Sequence, residues 1–135
     1  MILGIGIDII EVARIQAAYE KHGQRFIERI LRPAEIEYCL THKIPGPFLA
    51  ARFASKEAIS KAFGTGICGQ LGWQDMEVCR KPSGEPYVVL HDKALELMQQ
   101  RGGHAIHLSI SHTQVHATAI AILEAQGQPA SKPPQ

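Results

Sequence analysis

The segment Leu3-Gly-Ile-Gly-Ile-Asp8 sets the first constraint on this chain. Its alternation predicts a strand over Ile2 to Ile10. Leu3, Ile5, Ile7 and Ile9 fall on one face, and Ile2, Gly4, Gly6 and Asp8 on the other. The second face is nearly bare. Glycine weakens a strand, and two on one face mark close approach of a ligand or another backbone. Any fold of this chain must bring a neighbour against that face, and Asp8 stands at its end. The run has no basic leader and meets an acid at Asp8, so it does not read as a signal peptide.

The remaining pattern alternates between helix and strand. Val12, Ile15 and Tyr19 give helical spacing over Glu11 to His22, with Gly23 as a C-cap. A short helix over Gln24 to Leu31 follows, and Pro33 opens another that runs to about Leu40. After a loop at Lys43 to Pro47 comes the strongest helix, FLAARFASKEAISKAF over Phe48 to Phe63, closed by Gly64. Trp73 to Arg80 and Pro86 to Leu90 read as strands joined by the turn Lys81 to Gly84. Asp92 to Arg101 reads as a helix ended by Gly102-Gly103. His104 to Ser111 and Ala117 to Leu123 read as strands around a turn at Thr113 to Val115. The expected fold class is α+β, a single domain of about four helices on a mostly antiparallel sheet of about five strands.

Composition narrows the function. The 135 residues are 45% hydrophobic and 20% charged, which suits one ordinary globular domain over residues 1–125. Residues 126–135, rich in Pro, Gln and Ser, are expected to be a disordered tail. A net charge of +1 carries no whole-molecule signal for nucleic acid. No apolar run approaches the ~18 residues of a membrane helix. Cys39, Cys68 and Cys79 are odd in number and widely spaced, which fits a reducing compartment and a cytoplasmic location.

Several constellations carry candidate chemistry. Glu57 and Lys61 share one face of the strong helix at i,i+4, a spacing that most often makes only a solvated ion pair. Their company changes the reading. Gly64-Thr65-Gly66 follows at once, and its backbone N–H groups are expected to be free to hold an anion. If Asp8 converges with Glu57, two carboxylates give the sparse protein ligation that Mg²⁺ prefers. His104 and His107 point to opposite faces of their strand, which speaks against zinc, and His112 at the strand end is the histidine best placed to reach a phosphate. Arg14, Lys21, Arg25, Arg29 and Arg32 make residues 14–32 locally basic. The P-loop and G-x-S-x-G patterns are absent from the sequence.

Three blocks carry a resemblance: GIGIDIIEVARI at 4–15, ARFASKEAISKAFGTGI at 51–67 and LSISHT at 108–113, supported by RFIERIL at 25–31 and GWQDMEV at 72–78. In their order and residues they resemble the holo-acyl-carrier-protein synthase family, the short 4′-phosphopantetheinyl transferases. Two departures stand out: Ala51 where many members have Gly, and Glu85 where Gly-Lys-Pro is common.

The resemblance implies a homotrimer with active sites at subunit interfaces. It implies transfer of 4′-phosphopantetheine from coenzyme A to a serine of an acyl carrier protein, in fatty acid biosynthesis. Asp8 and Glu57 then stand as ligands of Mg²⁺ or Mn²⁺, and Lys61 as the cation over the reacting phosphates. Arg52, Lys61, Gly64, Thr65, Gly66 and His112 stand as coenzyme A contacts, with part of that pocket open to supply by a neighbouring subunit. Arg14, Arg25, Phe26 and Arg29 resemble the docking surface for the carrier protein. Glu57 and a metal-bound water are both open as acceptors of the serine proton. On pattern without the resemblance, two alternatives stand: a magnesium-dependent phosphohydrolase that uses the same Asp8 and Glu57 site, and a non-enzymatic nucleotide-binding module in which Glu57 and Lys61 are only a surface pair.

Overall fold

The computed structural model describes residues 1–127. The expected tail lies, from residue 128 onward, outside the described residues. The elements run β1 (Ile2–Glu11), α1 (Val12–His22), α2 (Gln24–Ile30), α3 (Pro33–Leu40), α4 (Gly46–Ala62), β2 (Met76–Arg80), β3 (Pro86–Leu90), α5 (Asp92–Gln100), β4 (Ala105–His112) and β5 (His116–Glu124). The α+β class is as expected, with five helices among the described residues and every strand pair antiparallel.

Two details differ from the sequence reading. The five strands form a three-stranded sheet in the order β1-β5-β4 and a separate β2-β3 hairpin. Alternation predicts each strand but not which edges pair. Trp73–Asp75 is a 3-10 turn, not the start of β2. Asp75 causes this: its carboxylate accepts the Gly72 N–H at 2.7 Å, and its own N–H donates to the Gly72 carbonyl. The turn lays Trp73 on Phe53, with ring centroids 4.9 Å apart.

The axis of the molecule is α4, which is buried along most of its length. It contributes to both apolar clusters, one with β5 and α5 and the other with α1, α2 and α3. The inner face of the sheet is paved with small residues. Gly6 pairs with Ala121 and Asp8 with Ala119 in the β1–β5 ladder, and Ala117, Ala119 and Ala121 are all buried. A Cβ at Gly4 would run into the Ala62 carbonyl, and one at Gly6 into the Ala58 carbonyl. The neighbour demanded by the bare face is therefore the backbone of α4. The isoleucine face of β1 points outward instead, with Ile5, Ile7 and Ile9 58%, 62% and 66% exposed.

Candidate active site

The close packing of α4 on β1 builds the site. Ala58 and Ala62 are the helix residues whose carbonyls meet the two glycines. Glu57 and Lys61 precede them by one position each, so the approach that buries the alanines carries both charged groups to the end of β1. There Lys61 Nζ donates to Asp8 Oδ1 at 3.1 Å and to the Ile7 carbonyl at 2.9 Å. The Asp8 side chain is 18% exposed and that of Lys61 49%, so the pair opens to solvent. Asp8 is held from behind, because Thr118 Oγ1 on β5 donates to its carbonyl at 2.8 Å.

Glu57 completes the set. Partial burial pushes its carboxyl above the ordinary value of 4.5, the Asp8 charge pushes it further, and Lys61 opposes both. Two carboxylates within electrostatic reach of a single ammonium, which contacts Asp8, are short of positive charge. Such a hard oxygen donor set fits Mg²⁺, which takes one or two protein carboxylates and fills its octahedron with waters and phosphate oxygens. Among the described residues no group of three or more His, Cys, Asp or Glu side chains is placed to hold a metal. Asp8 and Glu57 would offer two carboxylates to such an ion.

The cradle expected at Gly64-Thr65-Gly66 takes another form. Gly64 and Gly66 have φ of 81° and 66°, which turns the chain back over the end of α4. The Gly64 N–H donates to the Lys61 carbonyl, and the Thr65 and Gly66 N–H groups both donate to the Ser60 carbonyl. All three amides are used in capping the helix, so the free-amide anion nest is not formed. Arg101 adds to the cap from α5, donating to the Phe63 carbonyl and, at 3.2 Å, to the Leu3 carbonyl.

Arg52 and His112 belong to a second patch. Arg52 sits five residues before Glu57, about 140° around the helix. It is 2% exposed, its guanidinium stands 4.2 Å from the Tyr38 ring centroid, and its Nε and Nη1 are buried without a partner. Arg80 approaches the same ring at 5.6 Å. Phe48 links Tyr38 to His112, at ring distances of 6.1 and 6.0 Å, and stacks on His42. A buried cation with unpaired donors is expensive unless an anion reaches it.

The third group is superficial. Arg25, Phe26 and Arg29 on α2 line one open depression with His22. Arg14, exposed on α1, is not among its lining residues.

Sequence reasoning did not single out Tyr38, Arg101 or Glu35, nor the buried pairing of Glu35 with Lys56, whose charges meet at 2.8 Å. Burial pushes the Lys56 ammonium down, and Glu35 pulls it back. A lysine beside a glutamate in an alanine-rich helix reads as solvated, and only the fold shows it enclosed.

Comparison with known proteins follows the same lines. Residues 4–121 match the model of the 4′-phosphopantetheinyl transferase superfamily. The holo-[acyl-carrier-protein] synthase of Koribacter versatilis is 51% identical over 124 residues, covering 92% of this chain and 99% of the relative. The crystal structure of holo-[acyl-carrier-protein] synthase from Neisseria meningitidis is similar with a TM-score of 0.86 at 34% identity, covering 92% of this chain and 99% of that one. The Helicobacter pylori enzyme of that name, solved in complex with coenzyme A, is similar with a TM-score of 0.80 at 34% identity, covering 89% and 99%.

Proposed function

The chain belongs to the 4′-phosphopantetheinyl transferase superfamily, and from that membership we propose that it transfers 4′-phosphopantetheine from coenzyme A to a serine hydroxyl of an apo acyl carrier protein. Adenosine 3′,5′-bisphosphate leaves, and the product serves fatty acid biosynthesis. The observation that carries this reading is the meeting of Lys61 with Asp8, 53 residues apart in the chain, beside a Glu57 whose charge Asp8 opposes. The coenzyme A bound to the Helicobacter pylori relative supports the choice of donor.

The chemical obstacle is a neutral hydroxyl attacking an anionic diphosphate. Asp8 and Glu57 would hold Mg²⁺ or Mn²⁺, whose charge neutralises the diphosphate oxygens and eases departure of the leaving group. Lys61, half exposed and already at the site, places its ammonium to stabilise or protonate the departing phosphate. Glu57 and a water on the metal it would help to hold are the two acceptors open to the serine proton.

The unpaired Nε and Nη1 of Arg52, with His112 at the far end of the same aromatic patch, suit an anionic portion of coenzyme A. Contacts from Gly64, Thr65 and Gly66 would come from close approach of the turn, since its amides are already used. Arg25, Phe26 and Arg29, with Arg14 nearby in sequence, form a basic docking face for an acidic carrier protein.

The working form is a homotrimer with sites between subunits. The outward Ile5, Ile7 and Ile9, joined by Ile120 at 38% exposure, form an apolar ridge that water covers poorly. The metal set and the Arg52 patch lie on different sides of α4, and a neighbouring subunit would supply the missing wall. The location is cytoplasmic; no helix among the described residues is long and apolar enough to cross a membrane.

The test is the mass of an apo carrier protein after incubation with coenzyme A and the chain. Transfer raises it by one phosphopantetheine, and EDTA abolishes the rise. Release of nucleotide with an unmodified carrier would identify a hydrolase instead. Light scattering tests the trimer, and a fully active monomer would contradict shared sites.

A further inference from the structure

Lys56 is fully enclosed, and its ammonium uses all three of its protons. It donates to the Ile30 carbonyl at 2.7 Å, to Glu35 Oε1 at 2.8 Å and to the Trp73 carbonyl at 3.1 Å. Glu35 is as buried, and it also accepts the Arg32 N–H at 2.9 Å and the Val78 N–H at 3.1 Å. One ion pair therefore ties α4 to the end of α2, to α3, to the 3-10 turn and to β2. Nothing in the proposed transfer uses either charge.

Ion pairing alone does not account for the pair, because burying two charges costs desolvation that their attraction barely returns; its gain comes with the four backbone groups it satisfies. What the ammonium adds is direction. Three hydrogen bonds along fixed lines leave α4 one rotation about its axis. Lys56 is next to Glu57, and neighbours on a helix are about 100° apart. Fixing residue 56 therefore fixes the bearing of Glu57 and, a turn later, of Lys61.

We propose that Lys56, held by Glu35, is a positioning residue that aims Glu57 and Lys61 at Asp8 and ties that aim to α2, the helix carrying Arg25, Phe26 and Arg29. This inference rests on the transferase reading above.

Two full-length variants test it, Lys56→Met and Lys56→Met/Glu35→Gln. Melting temperature, coenzyme A affinity by calorimetry, and kcat and KM for transfer are measured for each. The single variant should melt well below wild type, since it leaves a carboxylate buried without its partner. The double variant removes the stranded charge and should recover part of that loss, the Ile30 and Trp73 carbonyls staying without a donor. Its kcat should stay down by about tenfold or more, as small misplacements of reacting groups do, with coenzyme A affinity falling far less than kcat. A double variant that regains both stability and full kcat would reduce the cluster to packing and overturn the proposal. So would a loss of coenzyme A affinity in step with kcat, which means general collapse of the site.

If neither variant folds, Glu35→Gln decides, because it leaves Lys56 an amide oxygen to bond. Reduced kcat at unchanged coenzyme A affinity supports the proposal, and wild-type kcat overturns it. A wild-type chain without transfer in the same assay removes the reading and the inference together. An active wild type beside an equally active, folded double variant removes the inference alone.

Discussion

Gly6→Ala isolates the contact on which the site depends. Alanine is ordinarily the better strand residue, and where the backbone tolerates it a Gly→Ala change stabilises by about 0.4–1 kcal/mol through the unfolded chain. Gly6 has no positive φ, so backbone strain does not enter. The obstacle is steric. An added Cβ would stand 2.7 Å from the Ala62 nitrogen and 2.9 Å from the Ala58 carbonyl carbon, with the Ala58 oxygen closer still. These are backbone atoms and cannot rotate aside. To bring even the Ala62 nitrogen out to the 3.4 Å of ordinary contact, α4 must move by roughly 0.7 Å, and the carbonyl demands more. Overpacking of this kind costs about 1–3 kcal/mol and sometimes more. For a domain of this length that lowers the melting temperature by roughly 3–10 °C. The same movement draws Glu57 and Lys61 away from Asp8, and misplacement by about 1 Å costs on the order of 10²-fold in rate. Thermal melting and a coenzyme A-dependent transfer assay read the two effects. Gly69→Ala, where nothing stands within 4 Å of the new carbon, is the control and should melt as wild type or slightly above. A Gly6→Ala protein with unchanged melting and unchanged turnover would mean that the β1–α4 contact does not set the site.

Glu57→Gln should fold and lose about 10²–10³-fold in turnover, the usual cost of one preorganised electrostatic group. Folding raises the Glu57 pKa above 4.5, so its contribution to stability is complete below that pH and is lost as pH rises through the folded value. The glutamine variant escapes the loss and should melt above wild type at neutral pH but not near pH 4. Added Mg²⁺ should raise the melting temperature of the wild type and not of Glu57→Gln. Arg52→Met removes a buried cation with two unpaired donors, so the unliganded protein should melt no lower than wild type, while KM for coenzyme A rises about tenfold or more and kcat holds. Arg25→Glu should weaken use of the carrier protein and flatten its salt dependence; carrier kinetics unchanged across ionic strength would remove α2 as the docking face.

The sequence was most legible where local chemistry decides the outcome. Glycine at positions 4 and 6 demands a close neighbour whatever surrounds it, and α4 is that neighbour. The helix over residues 48–63 was readable from its alanines, and the structure starts it at Gly46. Less legible was anything set by a partner distant in the chain. Arg52 was marked only by resemblance, as a coenzyme A contact, and nothing in its local pattern shows that it is buried against Tyr38. Gly64 to Gly66 look like a free cradle until Ser60 and Lys61 claim their amides. Which strands share a sheet is decided by edges, and alternation within β2 or β4 carries no record of them. Lys56 and Glu35 lie 21 residues apart, each next to or near other charges in sequence, and pattern alone does not reveal that they are buried together.

The most direct measurement is a crystal structure of the chain with coenzyme A and Mg²⁺. One divalent cation should be held by the Asp8 and Glu57 carboxylates, with the diphosphate against Lys61. A diphosphate bound elsewhere, or Asp8 and Glu57 facing different ligands, would contradict this assignment.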